Sequence, residues 1–105
     1  MLVNPGLDEE FNRWYEEEHI PDIAKVPGWC RTRRYKLFHT IESKGTKEGP
    51  VYNYLAIHEW SHGTYRDTPE YAAALATPWF AKILKDGTVV NARCFAIHKQ
   101  IQKPE

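Results

Sequence analysis

The segment VYNYLAIHEW, residues 51–60, carries bulk on both of its faces: Val51, Leu55 and Ile57 on one, and Tyr52, Tyr54, Ala56, His58 and Trp60 on the other. Alternation with a period of two reads as a β-strand, and a strand apolar on both sides has to be covered on both sides. The rest of the chain has to supply that cover. In 105 residues there is material for one core, so a single domain over 1–105 is expected. Helices of the same chain can cover one face of the sheet, and a second copy of the chain is the natural cover for the other.

The remaining elements follow from punctuation and periodicity. MLVN is a short strand stopped by the Asn4-Pro5-Gly6 turn. Asp8 is placed to cap a helix, with Glu9 and Glu10 in its first turn, where the helix dipole favours negative charge. At 100° per residue from Leu7, Phe11 falls at about 40° and Trp14 at about −20°, which makes a buried stripe of Leu7, Phe11 and Trp14. Tyr15 and His19, near 80° and 120°, share one flank of that stripe, while Glu9, Asn12 and Glu16 point elsewhere. Glu18 falls close to the stripe and needs either a frayed helix or a partner, for which the Arg31–Arg34 run is the obvious source. Pro21 disfavours helical geometry at Ile20 and ends the run. CRTRRYKLFHTI, residues 30–41, is the second strand and SKGTKEGP, 43–50, a hairpin-type loop. Thr68-Pro69 and Thr77-Pro78 each read as an N-cap followed by a first helical residue. They open a short Ala-rich helix and a second one with Trp79, Phe80, Ile83 and Leu84 on its apolar face, closed by Gly87. TVVNARCFAIHKQI, 88–101, is a long last strand.

The order β-α-β-β-α-β, with right-handed crossovers, gives an α+β, ferredoxin-like βαββαβ fold: a four-stranded antiparallel sheet with both helices on one face. The stretch EFNRWYEEEHIPDIAKVPGWCRTRRYKL, from Glu10 onward, with the later YLAIHEW and TPW, resembles the dimeric α+β barrel superfamily. Within it, the EFNxWYxxxHxPxxxxVPG pattern from Glu10 to Gly28 resembles the EthD-like branch. The resemblance implies a homodimer whose two sheets face each other as a barrel, with a ligand pocket in each subunit between sheet and helices. It also spans muconolactone isomerases, aromatic polyketide cyclases, small decarboxylase-like enzymes, cofactor-free monooxygenases and haem-binding or haem-degrading proteins, so fold does not choose among activities. Against that pattern MLVN is a short first strand; either it is short here or the chain is truncated.

His19 is the histidine of the resembling motif, and its place in the last turn would aim it at the mouth of such a pocket, where it could move a proton next to a carbonyl. The helix C-terminus and Glu16, Glu17 and Glu18 favour its charged form, and burial against Trp14 and Tyr15 favours the neutral one. A purely structural His19, satisfying the terminal carbonyls of the helix, is the competing role. Trp14 reads as core and Tyr15 as a hydroxyl that orients a substrate oxygen. Arg31, Thr32, Arg33 and Arg34 alternate across a strand and so make no single basic patch. Arg34, on the parity of Cys30 and Phe38, is the choice for holding a carboxylate or phenolate. Tyr54 and His58 share one strand face, Cys94 and His98 another, and Trp79 with Phe80 would wall the pocket.

The resulting expectation is a cofactor-independent enzyme of cyclase, isomerase or decarboxylase type, moving protons on a small aromatic or polyketide-like molecule. A non-catalytic dimeric ligand-binding or stress-related protein and a haem protein are the alternatives.

Composition narrows the field further. Fourteen basic residues balance fourteen acidic ones, so no global field favours nucleic acid or an anionic membrane. No run approaches the roughly 20 apolar residues of a membrane span and no signal peptide is recognisable, so a cytoplasmic location is the default. Cys30 and Cys94, without CxxC spacing, read as small buried hydrophobes. His39, His58, His62 and His98 are scattered singly, without HxxxH or HxH, and no metal site is expected.

Overall fold

Residues 1–40 and 52–103 are described by a computed structural model of the chain; the expected loop at 43–50 lies outside them. The sheet is built on two antiparallel strands, β1 (Trp29–Lys36) and β2 (Tyr54–Trp60), paired from Trp29↔Trp60 to Lys36↔Tyr54 with one irregularity between Trp29 and Arg31. That irregularity explains why Cys30, expected inside, is exposed: the extra residue at the bulge leaves the alternation of the strand.

Two strands form among the described residues where four were expected. Backbone hydrogen bonds nevertheless hold the first and last segments beside these two strands. The Tyr54 N–H donates to the Met1 carbonyl at 3.0 Å, and Leu2 and Val89 form an antiparallel bridge with both bonds at 2.9 Å. Val89, Leu2, β2 and β1 therefore lie side by side in that sequence. Pro5, which has no N–H and opens a 3₁₀ turn, Pro5–Leu7, bounds this pairing on the Thr88 side. The last segment, expected as a strand to Ile101, loses its partner beyond Val89. Phe95, Ile97 and Ile101 are 87, 86 and 84% exposed, and Cys94 is exposed with them. Asn53 marks the start of β2: its side-chain amide accepts from Val3 N–H at 2.8 Å and donates to the Val3 carbonyl at 3.0 Å.

The first helical stretch runs as α1 (Asp8–Trp14), a π turn (Tyr15–His19) and α2 (Ile20–Ile23). Pro21, expected to end the helix, lies inside it. A proline ring clashes with the carbonyl four residues back and offers no N–H to it, and a widened turn just before the ring relieves both demands. The Ile20 N–H accordingly bonds the Tyr15 carbonyl, five residues back. Gly28 then turns the chain at φ 93°. A side chain there would collide with the His62 ring, whose Nε2 lies 2.7 Å from the position of a Cβ.

Helices α3 (Pro69–Leu75) and α4 (Pro78–Lys85) open as expected, with Thr68 and Thr77 hydroxyls accepting from the Tyr71 and Phe80 N–H groups, both at 3.2 Å. The core gathers Val3, Phe11, Trp14, Tyr15, Tyr54, Phe80 and Ile83 from the N-terminal segment, α1, the π turn, β2 and α4. On the opposite face of the sheet, Tyr35, Leu55 and Ile57 remain 47, 55 and 44% exposed.

Candidate functional site

The π turn determines which side chains meet the sheet. In a regular helix His19 would stand about 140° from Trp14. With one extra residue in the turn it comes back over Trp14 instead, stacked at 4.5 Å between ring centroids and 22° between planes. Trp14 is fully buried, and Phe80 stacks against it at 4.9 Å. Glu18 accepts from the Trp14 indole N–H and the Thr77 hydroxyl, each at 2.9 Å, rather than from the arginine run. His19 is 5% exposed and its Nδ1 has no partner among the described residues. Burial, with His58 and Arg34 adding positive repulsion against a weaker pull from Asp22, lowers its pKa to about 4. The ring is neutral at pH 7.

Beside this stack lies a polar cluster on the helix-facing side of the sheet. His58 stands directly opposite Thr32 in the strand register, with 2.8 Å from Nδ1 to the Thr32 hydroxyl. Its Nε2 lies 3.4 Å from the Tyr15 hydroxyl, and burial lowers its pKa too. Tyr15 is buried, which pushes its phenol up to about 12 against the opposing pull of Arg34, so the phenol stays protonated. The Arg34 guanidinium sits 4.3 Å from the centre of the Tyr15 ring and 5.6 Å from that of Phe11. It donates to Asn12 Oδ1 at 2.7 Å and lies 3.6 Å from Glu16. Asn12 in turn donates to the Tyr54 hydroxyl at 3.3 Å, and that hydroxyl donates to Asp8 at 2.7 Å. Asp8, expected as a helix cap, thus serves the sheet instead.

Met1, Phe11, Tyr15, Arg34, Tyr54, Leu55 and Ala56 line a shallow cleft that encloses about 10 Å³ and is open to solvent. Of the residues singled out in the sequence, Tyr15, Arg34 and Tyr54 border it and His58 touches Tyr15 from behind. His19 is packed 5.0 Å from Tyr15 and 6.1 Å from His58, ring to ring, but is not part of the lining. Phe80 belongs to the core stack. Trp79 takes the Arg13 guanidinium at 5.9 Å, and neither of these two borders the cleft. His98 stands exposed in the C-terminal segment and does not border the cleft.

Sequence reasoning missed Asn12 and Thr32. Asn12 was set apart from Tyr15 and His19, yet at about 140° on the wheel it lies next to His19, and that proximity was its available signal. Thr32 has a cross-strand partner only once the register is known. Among the described residues no group of three or more His, Cys, Asp or Glu side chains is arranged to hold a metal ion, and no helix is long and apolar enough to cross a membrane.

Helices over one face of an antiparallel sheet, with a polar cleft between them, define a small α+β protein. The EthD domain model matches residues 4–90, and the chain belongs to the EthD family, within the dimeric α+β barrel superfamily. The match ends beside Val89, where backbone pairing of the last segment also ends. No curated protein and no solved structure matches the chain.

Proposed function

We propose that this EthD-family chain is a cofactor-free enzyme that promotes proton transfer on a small aromatic or polyketide-like carbonyl compound. One observation carries the reading: Arg34 is fixed by Asn12 and stacked on Tyr15 at the edge of a cleft that also holds Tyr54. A guanidinium with donors to spare, beside a phenol that burial keeps protonated, suits an enolate oxygen. As a C–H next to the carbonyl gives its proton to water, Arg34 offsets the charge that develops on oxygen and Tyr15 donates a hydrogen bond to it. Tyr54 orients the ligand and His58 supports Tyr15. His19 acts from one layer deeper, holding the Trp14–Tyr15 wall. Ligand sites for drug-sized molecules enclose roughly 300–1,000 Å³, so a cleft that encloses about 10 Å³ has to widen before it admits one. In this reading a second copy of the chain covers the open sheet face on the other side, and each subunit keeps its own pocket between sheet and helices.

The test is exchange of the acidic C–H of benzoylacetone in D₂O, followed by proton NMR with and without protein. Acceleration by the native chain, reduced at least tenfold in Arg34→Gln and in Tyr15→Phe, is the expected result. Saturable binding of the same compound without any acceleration would replace the enzyme reading with the ligand-binding one, which the burial of His19 away from the cleft favours.

A further inference from the structure

Arg34 differs from the other arginines that meet a carboxylate. Arg13, Arg31 and Arg33 pair with Glu17 or Glu59 and are more than half exposed, whereas the Arg34 side chain is 19% exposed. A guanidinium taken out of water is costly unless an opposite charge lies close and is itself held. Within 4.0 Å of Arg34 the described residues offer one carboxylate, Glu16, which is 3.6 Å away and mostly exposed, so water screens it. The short bond of Arg34, at 2.7 Å, goes instead to the neutral amide of Asn12. Tyr15 adds no negative charge, because its phenol stays protonated. The guanidinium therefore borders the cleft with most of its charge not offset.

The contacts of Asn12 leave its amide one orientation. A guanidinium only donates, so the atom facing Arg34 is Oδ1; the Asp8 main-chain carbonyl only accepts, so the atom 2.8 Å from it is Nδ2. Turned over, the amide would set N–H against N–H at one end and oxygen against oxygen at the other. We propose that Asn12 is a positioning residue that tethers Arg34 through a neutral acceptor, so that the guanidinium keeps its charge for an anionic oxygen of the ligand. The functional half of this statement rests on the proton-transfer reading above; the tether does not. A carboxylate at position 12 would also hold the guanidinium, but its charge would cancel the one the ligand needs. The site is thereby matched to an oxygen that carries negative charge or acquires it, an enolate, phenolate or carboxylate. An enolate is then held more strongly than the ketone it forms from, which is the difference that speeds a reaction.

Nitrogen-15 NMR of the arginine side chains in the full chain tests the tether without any ligand. Arg34 should show two distinct Nη resonances, from slowed rotation of its guanidinium, kept in Asn12→Asp and averaged in Asn12→Ala. A single averaged resonance in the native chain overturns the tether. Titration with benzoate and with acetophenone at pH 7.5, followed by the amide shifts of Leu55 and Ala56, tests the charge. The native chain should bind benzoate more tightly than acetophenone. In Asn12→Asp that preference should fall by about tenfold or more. In Asn12→Ala both compounds should weaken alike, by about threefold, and the preference should stay, because only the ordering of Arg34 is lost. A preference in Asn12→Asp within about twofold of the native one overturns the proposal, and so does a native chain that does not favour benzoate. If the native chain accelerates benzoylacetone exchange and the preference survives in Asn12→Asp, the role of Asn12 fails while the enzyme reading stands. If the native chain neither binds these compounds nor accelerates exchange, the enzyme reading fails and the Nη resonances still decide the tether.

Discussion

His19 shows how far one side chain can depart from its helical-wheel position. It was expected on a flank, closing a helix or facing a pocket, and it is instead packed flat on Trp14 inside the core. The consequence is a linkage to pH with a definite sign. Its folded pKa of about 4 lies below the ordinary histidine value, so between about pH 6.5 and 4 the unfolded chain binds the extra proton. Neutral His19 therefore contributes stability that is complete above about pH 6.5 and is lost as pH falls toward 4, by about 3 kcal/mol at most. His58, lowered by burial, adds in the same direction. Urea unfolding of the native chain and of His19→Phe at pH 7, 6, 5 and 4 checks this. The native midpoint should fall more steeply than that of the variant, and parallel curves would sink the assignment. Trp14 was legible as core because it lies on the apolar stripe. His19 was not, because a wheel of constant 100° steps cannot represent a turn with one residue too many.

At the scale of elements, threonine hydroxyls join helices to what precedes them. Thr77 caps α4 and at the same time donates to Glu18, which also holds the Trp14 indole, so one hydroxyl connects two helices. Thr68 caps α3 and donates to the Tyr65 carbonyl, a neighbour in sequence. Loss of an N-cap costs about 0.5–2 kcal/mol. Thr77→Ala should fall at the upper end of that range because Glu18 loses a donor, and Thr68→Ala in its middle. Thr77→Ser should remain within about 0.5 kcal/mol of the native chain. Chemical denaturation of the three variants ranks them, and equal losses for the two alanine variants would show that the Glu18 contact contributes nothing. These caps were legible because Thr-Pro is a local signal. Both β-strands of the paired sheet were legible from alternation, although each is shorter than expected. Alternation alone also marked 88–101 as a strand, but a strand needs a neighbour, and beyond Val89 the antiparallel register offers none among the described residues. The Arg34–Asn12–Tyr54–Asp8 cluster was legible only in part, since it joins a helix to two strands.

For the whole molecule, the exposed side of the sheet sets the expectation. Tyr35, Leu55 and Ile57 form an apolar area beside the Arg31–Glu59 ion pair, and stable homodimers bury about 800 Å² or more on each subunit. Sedimentation equilibrium should give twice the chain mass for the native protein and the chain mass for Leu55→Asp with Ile57→Asp. A native monomer would remove the cover proposed for this face. The expectation of a second cover came from the two-sided bulk of residues 51–60 and did not depend on the number of strands formed.

The bridge between Leu2 and Val89 also bears on the order of events during synthesis. Residues 1–3 leave the ribosome well before residues 54 and 89, their neighbours in the sheet, so they wait unpaired until both have followed them. Closure of the sheet is thus a late step that joins residues made far apart in time, and an arrest of translation before residue 89 would release a chain in which Leu2 lacks Val89 as its partner.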